Sequence, residues 1–163
     1  MPRLLIFATP AALLTRVYTT DFAVGVGGRN MRKDVLLVQF FLAAAQTRPE
    51  ISEGITRDYS RDGSGWDIRL TIDGVCGQKT TTAIRRFQEL YDTGIDPHAP
   101  VAMIHDVRVD PATRTMMGPR QGHVLAIGRL NMLYRAQFGE NAHSRLFADP
   151  LFPPELYDDF FVR

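Results

Sequence analysis

The chain has 163 residues, of which 45% are hydrophobic, and its formal net charge at pH 7 is +1. A chain of this length and composition can form a hydrophobic core, so it is not a disordered polypeptide. Its balanced charge gives no reason to expect nucleic acid as a partner. No apolar run approaches the roughly 20 residues that a membrane span needs. The single cysteine excludes an internal disulfide and a zinc site built from several cysteines.

Residues 1–21 are predicted to form an extended segment packed on the body of the protein. The stretch "LLIFATPAALL" has the apolar character of an export signal. However, Pro10 interrupts it, and Arg16 stands where a small-residue cleavage site would be expected. We therefore expect a buried strand or turn here, with an atypical or uncleaved export signal as the alternative.

The first predicted helix covers "MRKDVLLVQFFLAAAQ", in which apolar residues recur at helical spacing. The preceding stretch "FAVGVGGRN" ends in Asn30, a residue that favours helix N-caps. This stretch lacks the spacing and the acidic partner of a dinucleotide site, so we expect no cofactor. Asp34 falls in the first turn, where the helix dipole favours a negative charge, and Pro49 ends the pattern.

The second predicted helix follows a long loop at residues 47–68. This loop leads into "WDIRLTID", whose alternation is typical of a half-buried strand. The helix runs from about Gln78 to Tyr91 with one apolar face, and Gly94 breaks it. Its "TTAIRRFQEL" and the "DVLLVQFFL" of the first helix share an apolar-apolar-Gln pattern, although no tandem repeat of fixed period is present.

A third long helix is predicted over residues 120–138, with Gly139 as its C-terminal stop. It follows a second long loop at 93–108 and the stretch "DPATRTMM", which can start a short helix with Asp110 as its cap.

The tail at residues 146–163 combines three prolines with many aromatic side chains. The prolines predict an extended segment that lies along a surface, since its apolar side chains would not stay in water. We expect residues 146–152 to cover the chain's own domain and residues 157–161 to contact a protein partner.

The stretch "IDGVCGQKTTTAIRRFQ" resembles the small three-helix peptidoglycan-binding domain of bacterial and phage cell-wall proteins. That family has an Asp-Gly turn and a Gly, followed by a helix that ends in Phe-Gln. "VGVGGRNMRKDVLLVQFFL" upstream and "VRVDPATRTM" downstream resemble its other pieces, in the family's order. The residues that carry the pattern are Asp73, Gly74, Gly77, Thr80, Ala83, Ile84, Phe87 and Gln88.

This resemblance implies a mainly α fold with a peptidoglycan-binding-like core at residues 22–117. The loops at 47–68 and 93–108 are then insertions into this core. Residues 118–145 form an additional helix outside the unit, and the tail is also additional.

The resemblance also implies a function, which is non-catalytic binding of bacterial peptidoglycan. Either the stem peptide or the glycan would lie in a cleft bordered by the loop from Asp73 to Lys79. The candidate ligand-binding residues are Asp73, Gly74, Gln78 and Lys79, since hydrogen-bond donors at a helix N-terminus suit peptide carboxylates.

Two alternatives to wall binding remain open. The chain can be a structural or docking component of a phage particle or of an injection or secretion apparatus. A small wall hydrolase is the third hypothesis. Without a convincing signal peptide, the chain either reaches the cell wall by another route or belongs to such an assembly.

The polar residues of the motif favour a structural role. We expect the amides of Gln39 and Gln88 to tie their helices to neighbouring loops rather than to contact ligand. Gly74 suits a turn that needs positive φ, Gly77 lets the chain enter the helix, and the Thr80 hydroxyl can satisfy a backbone donor in the first turn.

Catalytic chemistry is not expected. Cys76 precedes a helix, where a thiol can become a nucleophile, but no histidine stands in a cysteine-hydrolase motif, and a core position for this thiol is the favoured interpretation. His98 and His105 with Asp96 and Asp106 can be drawn as a metal cluster. We interpret them as surface loop residues, because no recognised metallopeptidase pattern is present.

Overall fold

The computed structural model describes residues 1–8, 14–46, 70–91, 103–112 and 125–161. Over these residues the fold is mainly α, as predicted, with two small antiparallel sheets. The helices are α1 Arg32–Gln46, α2 Gln78–Tyr91, α3 Ala126–Ser144 and α4 Tyr157–Phe161, and two 3₁₀ turns lie at Leu146–Ala148 and Pro154–Leu156. The strands are β1 Arg3–Ala8, β2 Leu14–Thr19, β3 Val24–Gly25 and β4 Arg108–Val109.

The N-terminal segment is extended, as predicted, and forms a hairpin. Strands β1 and β2 pair antiparallel from Arg3 opposite Thr19 to Ala8 opposite Leu14. Tyr18 is fully buried, and its backbone N–H and C=O both bond to the side chain of Asn131 on α3 (2.8 and 2.9 Å). A single buried amide therefore fastens the hairpin to α3.

Helix α1 lies at the centre of the molecule. Every residue from Asp34 to Ala45 is buried, which fits a sequence that is apolar on nearly all sides. It contacts α2, α3, β3 and the second 3₁₀ turn. The core is one cluster of apolar side chains from the hairpin, from α1, α2 and α3 and from the C-terminal turns.

The start of α1 differs from the prediction. Asn30 does not cap the helix, because its backbone is left-handed (φ 51) and its side chain turns back to bond Gly25 and Gly28. Asp34 also reaches backwards and accepts the backbone N–H groups of Asp21 and Phe22 (2.9 and 3.1 Å). Burial raises the pKa of this carboxyl group, although the two N–H donors act in the opposite direction.

Helix α2 has the predicted bounds. Gly139, the predicted C-terminal stop of the third helix, kinks α3 without ending it. Its backbone (φ 86, ψ 164) interrupts the helix, and a further short helical stretch follows before Ser144. Helix α3 begins at Ala126, later than the predicted start near residue 120, because Leu125 has an extended backbone (φ −66, ψ 135). Residues 111 and 112 of the short helix proposed after Asp110 are not helical, and the rest of that helix lies outside the described residues. The loop at 47–68 with Trp66, and residues 93–102 of the second loop, also lie outside them. Residues 70–73 of the predicted strand carry no strand structure.

Residues 146–152 of the tail pack on their own domain, as predicted, but the tail is not extended, contrary to the prediction. Leu146, Phe152 and Leu156 are buried in the core. Pro153 and Pro154 stand at the start of a 3₁₀ turn, a position that proline tolerates, so they do not keep the segment extended. The Phe160 ring lies edge-on against Tyr18 of the hairpin, with ring centroids 5.2 Å apart. Phe160 therefore contacts this domain, where a partner was expected.

Among the helices within the described ranges, none is long and apolar enough to cross a membrane.

Candidate functional site

The side-chain amide of Gln39 organises the loop that precedes α2. Its Oε1 accepts the backbone N–H groups of Asp73 (3.0 Å) and Gly74 (2.8 Å). Its Nε2 donates to Asp73 Oδ1 (2.9 Å), to the Val75 carbonyl (3.1 Å) and to Thr80 Oγ1 (3.0 Å). All of the amide's hydrogen-bonding capacity is thus used inside the fold, as predicted for this residue.

The turn held by this amide is built around Asp73 and Gly74. Asp73 Oδ1 also accepts the Val75 N–H (2.9 Å), which closes a local turn. The hydrogen bond from Gln39 and this backbone N–H lower the pKa of the Asp73 carboxyl group. Gly74 has φ 74, a conformation that residues with a Cβ rarely adopt.

The side-chain amide of Gln88, near the other end of α2, holds a second loop by the same pattern of hydrogen bonds. Gln88 Oε1 accepts the Val107 N–H (2.8 Å), and Nε2 donates to Asp106 Oδ1 (3.1 Å) and to the Arg108 carbonyl (3.0 Å). Asp106 Oδ1 accepts the N–H of Arg108 (3.0 Å), the residue two positions on. Val107 has a left-handed backbone (φ 56) and takes the place that Gly74 has in the first loop.

The sequence contains part of this recurrence. The shared apolar-apolar-Gln pattern marks both amides, but the Asp partners are not evident, because 34 residues separate Gln39 from Asp73 and only 18 separate Gln88 from Asp106. Each Asp is followed two positions on by the residue whose N–H it accepts, Val75 or Arg108. An Asp with such a residue two positions on is too common in sequences to predict this turn by itself.

The loop that ends in Asn30 lies against the second of these turns. Strands β3 and β4 pair Val24 with Val109, and the Val26 N–H donates to the Val107 carbonyl (3.0 Å). A Cβ on Gly25 would lie 2.2 Å from that carbonyl oxygen, so only glycine allows this approach.

Two residues of the motif differ from their expected roles. Thr80 does not cap its own helix, since its hydroxyl donates to the Val75 carbonyl (3.2 Å) and accepts from Gln39. Gly77 precedes α2, and its carbonyl accepts the Thr81 N–H (3.0 Å). A Cβ on Gly77 would meet nothing within 4 Å, so the space around this position does not require glycine.

The four candidate ligand-binding residues lie on one loop and the first turn of α2. The backbone N–H of Asp73 and that of Gly74 are already taken by Gln39. Gln78 and Lys79 have exposed side chains. Ligand binding by these residues stays a prediction, with the exposed pair available for it.

Arg32, at the start of α1, is a further residue of this loop region that the sequence pattern does not reveal. Its Nη1 donates to the Asp73 carbonyl (2.6 Å), and its Nε and Nη2 donate to the two carboxylate oxygens of Glu155 (3.0 and 2.8 Å). Glu155 is 123 residues away in the chain, and no local pattern links positions that far apart.

Cys76 has the surroundings of a structural thiol. It is half-buried and packs against the hydrophobic core. Burial raises the pKa of the thiol, although a backbone hydrogen bond from Gly25 acts in the opposite direction. A raised pKa reduces the thiolate fraction at neutral pH, which disfavours a nucleophilic role.

The histidines have separate environments. His143 is buried, and its Nε2 lies 3.1 Å from Asn131 Oδ1. His105 is exposed, and Asp106 holds a turn, while His98 and Asp96 lie outside the described residues. Within the ranges that the structure covers, no three acidic, histidine or cysteine side chains come together as a metal site.

Comparison of the chain with protein-family models, with curated proteins and with solved structures finds no match.

Proposed function

We propose that the chain binds bacterial peptidoglycan without cleaving it, through the loop from Asp73 to Lys79. The observation that carries the proposal is the turn held by Gln39. It brings the Asp-Gly pair, Thr80 and a glutamine of the preceding helix into one hydrogen-bonded unit. These are residues on which the resemblance to peptidoglycan-binding domains rests.

The second turn, held by Gln88, supports the same proposal. In this view the three-helix core consists of α1, α2 and the helix predicted after Asp110, which lies outside the described residues. Gln78 and Lys79 are the exposed groups on the loop, and a lysine ammonium suits the carboxylates of stem peptides or the polar groups of glycan.

Sedimentation with purified, insoluble cell-wall sacculi tests this function. The wild-type protein is expected to leave solution with the sacculi, while release of soluble muropeptides stays at background. Lys79→Gln is expected to weaken sedimentation. Arg135→Gln is the matched control, because it removes one exposed positive charge from α3 instead of from the loop.

Absence of sedimentation at low salt would contradict wall binding, and release of muropeptides would indicate a hydrolase.

A docking role in a phage particle or secretion apparatus is the second candidate. It is favoured by the ion pair between Glu155 and Arg32, through which the chain's own C-terminal turn contacts a residue that is bonded to the loop. Under that hypothesis the protein does not sediment with sacculi and instead co-purifies with structural proteins of the assembly.

A further inference from the structure

The guanidinium of Arg32 is held in place by the turn at Asp73 and Gly74. Its Nη1 donates to the Asp73 carbonyl at 2.6 Å. Its side chain also lies over Gly74, since a Cβ built there would be 2.8 Å from Arg32 Cγ and 3.0 Å from Nη1. One edge of the guanidinium is thus held by backbone, and this contact does not depend on Glu155.

The other edge of the guanidinium presents two parallel donors. Nε and Nη2 bond one carboxylate oxygen each, at 3.0 and 2.8 Å. This paired geometry is the one by which arginine recognises carboxylates. Both side chains are about half exposed (55% for Arg32 and 50% for Glu155), so a carboxylate from solution can reach the same donors.

Glu155 does not need this ion pair to stay where it is. The neighbouring Pro153 and Leu156 are buried, and Phe152 packs in the core. The backbone of the 3₁₀ turn is therefore fixed by apolar packing, while an exposed ion pair adds little to stability. Rotation of the Glu155 side chain alone would free the arginine donors.

We propose that Arg32 is a receptor for the free carboxylate of a peptide and that Glu155 occupies this receptor as an internal competitor. The identity of the peptide rests on the proposed function, under which it is the terminal carboxylate of a wall stem peptide. The site lies beside the loop that contains Gln78 and Lys79. Glu155 then weakens binding by the wild-type chain without closing the site.

A titration followed by NMR at the Arg32 Nε–Hε resonance tests the proposal. The probe is an acetylated dipeptide of D-alanine with a free carboxylate, and its C-terminal amide is the control ligand. Glu155→Gln is expected to bind the carboxylate about fivefold more tightly than wild type, because the competing charge is removed. Arg32→Gln in the same background is expected to abolish binding, and the amide is expected to leave the resonance unmoved.

The exposed pair of Arg86 and Glu89 on α2 provides a matched control. These side chains also form an ion pair, with Nη1 and Oε2 3.0 Å apart, and are similarly exposed. Glu89→Gln is expected to leave the affinity for the dipeptide unchanged. Equal affinity of wild type and Glu155→Gln, or no movement of the Arg32 resonance in either protein, would overturn the proposal.

The result separates this inference from the proposed function. If the dipeptide binds at Arg32 but neither protein sediments with sacculi, the receptor stands and wall binding is wrong. If the sacculi retain the protein while the dipeptide leaves Arg32 unmoved, wall binding stands and the Arg32 receptor is wrong.

Discussion

Replacement of Gln39 by methionine is expected to destabilise the fold through two backbone groups. Methionine fills a similar volume but leaves the N–H groups of Asp73 and Gly74 without the acceptor they have in the native loop. The Val75 carbonyl keeps the Thr80 hydroxyl, so it is not left alone. The buried Gly74 donor costs about 1–3 kcal/mol when unpaired and the partly buried Asp73 donor about 1–2 kcal/mol, which gives a loss of roughly 2–5 kcal/mol.

Gln88→Met is the internal comparison for this prediction. That amide accepts a single backbone N–H, from the partly buried Val107, so the expected loss is about 1–2 kcal/mol. Urea unfolding followed by helical circular dichroism measures both variants, with the slope of the transition as a check on two-state behaviour. A loss below about 1 kcal/mol for Gln39→Met, or a larger loss for Gln88→Met, would refute the reasoning.

Three further predictions concern the turn, the buried histidine and the tail. Gly74→Ala, at φ 74 with the Arg32 side chain packed over it, is expected to lower the free energy of unfolding by about 2 kcal/mol or more, whereas Gly27→Ala, at φ 69 in open space, should lower it by about 1 kcal/mol. Thermal unfolding measures both variants, and equal losses would argue against a steric contribution at Gly74. Burial lowers the pKa of His143 to about 4 from its ordinary value of 6.5, so the unfolded chain takes up a proton first as the pH falls. Stability present above pH 6.5 should therefore drop by about 2 kcal/mol between pH 7.5 and 5, and His143→Gln should remove most of that drop in urea titrations at each pH. Leu156→Ala, at a fully buried position, is expected to cost about 2–4 kcal/mol, whereas Leu151→Ala, at an exposed one, should stay within about 0.5 kcal/mol; similar melting temperatures for the two variants would contradict the packing of the tail.

Helices α1, α2 and α3 could be predicted because their signals are local, whereas α4 was not predicted. The spacing of apolar residues gave α2 its observed bounds, and Gly139 marks the interruption in α3. The interior roles of Gln39 and Gln88 were also predictable, since an amide on an apolar helix face needs partners when it is buried.

The contacts that define the candidate site could not be predicted in the same way. Asn30 looked like a cap because its residue type favours caps, but a left-handed backbone turned its side chain to Gly25. The pairing of Arg32 with Glu155 depends on how the tail folds back, which no periodicity encodes. The tail itself was misjudged because prolines were interpreted as a sign of extended chain, whereas they begin a 3₁₀ turn.

The central position of α1 has a consequence for how the protein is made. Arg32, at the start of α1, leaves the ribosome 123 residues before Glu155, which belongs to the 3₁₀ turn that packs on α1. At ordinary rates of synthesis this interval lasts on the order of ten seconds, during which an almost wholly apolar helix has no native cover from the C-terminal segments. We expect the nascent chain to be a good substrate for chaperones that bind exposed apolar segments, and to be released only when the C-terminal turns are available to pack.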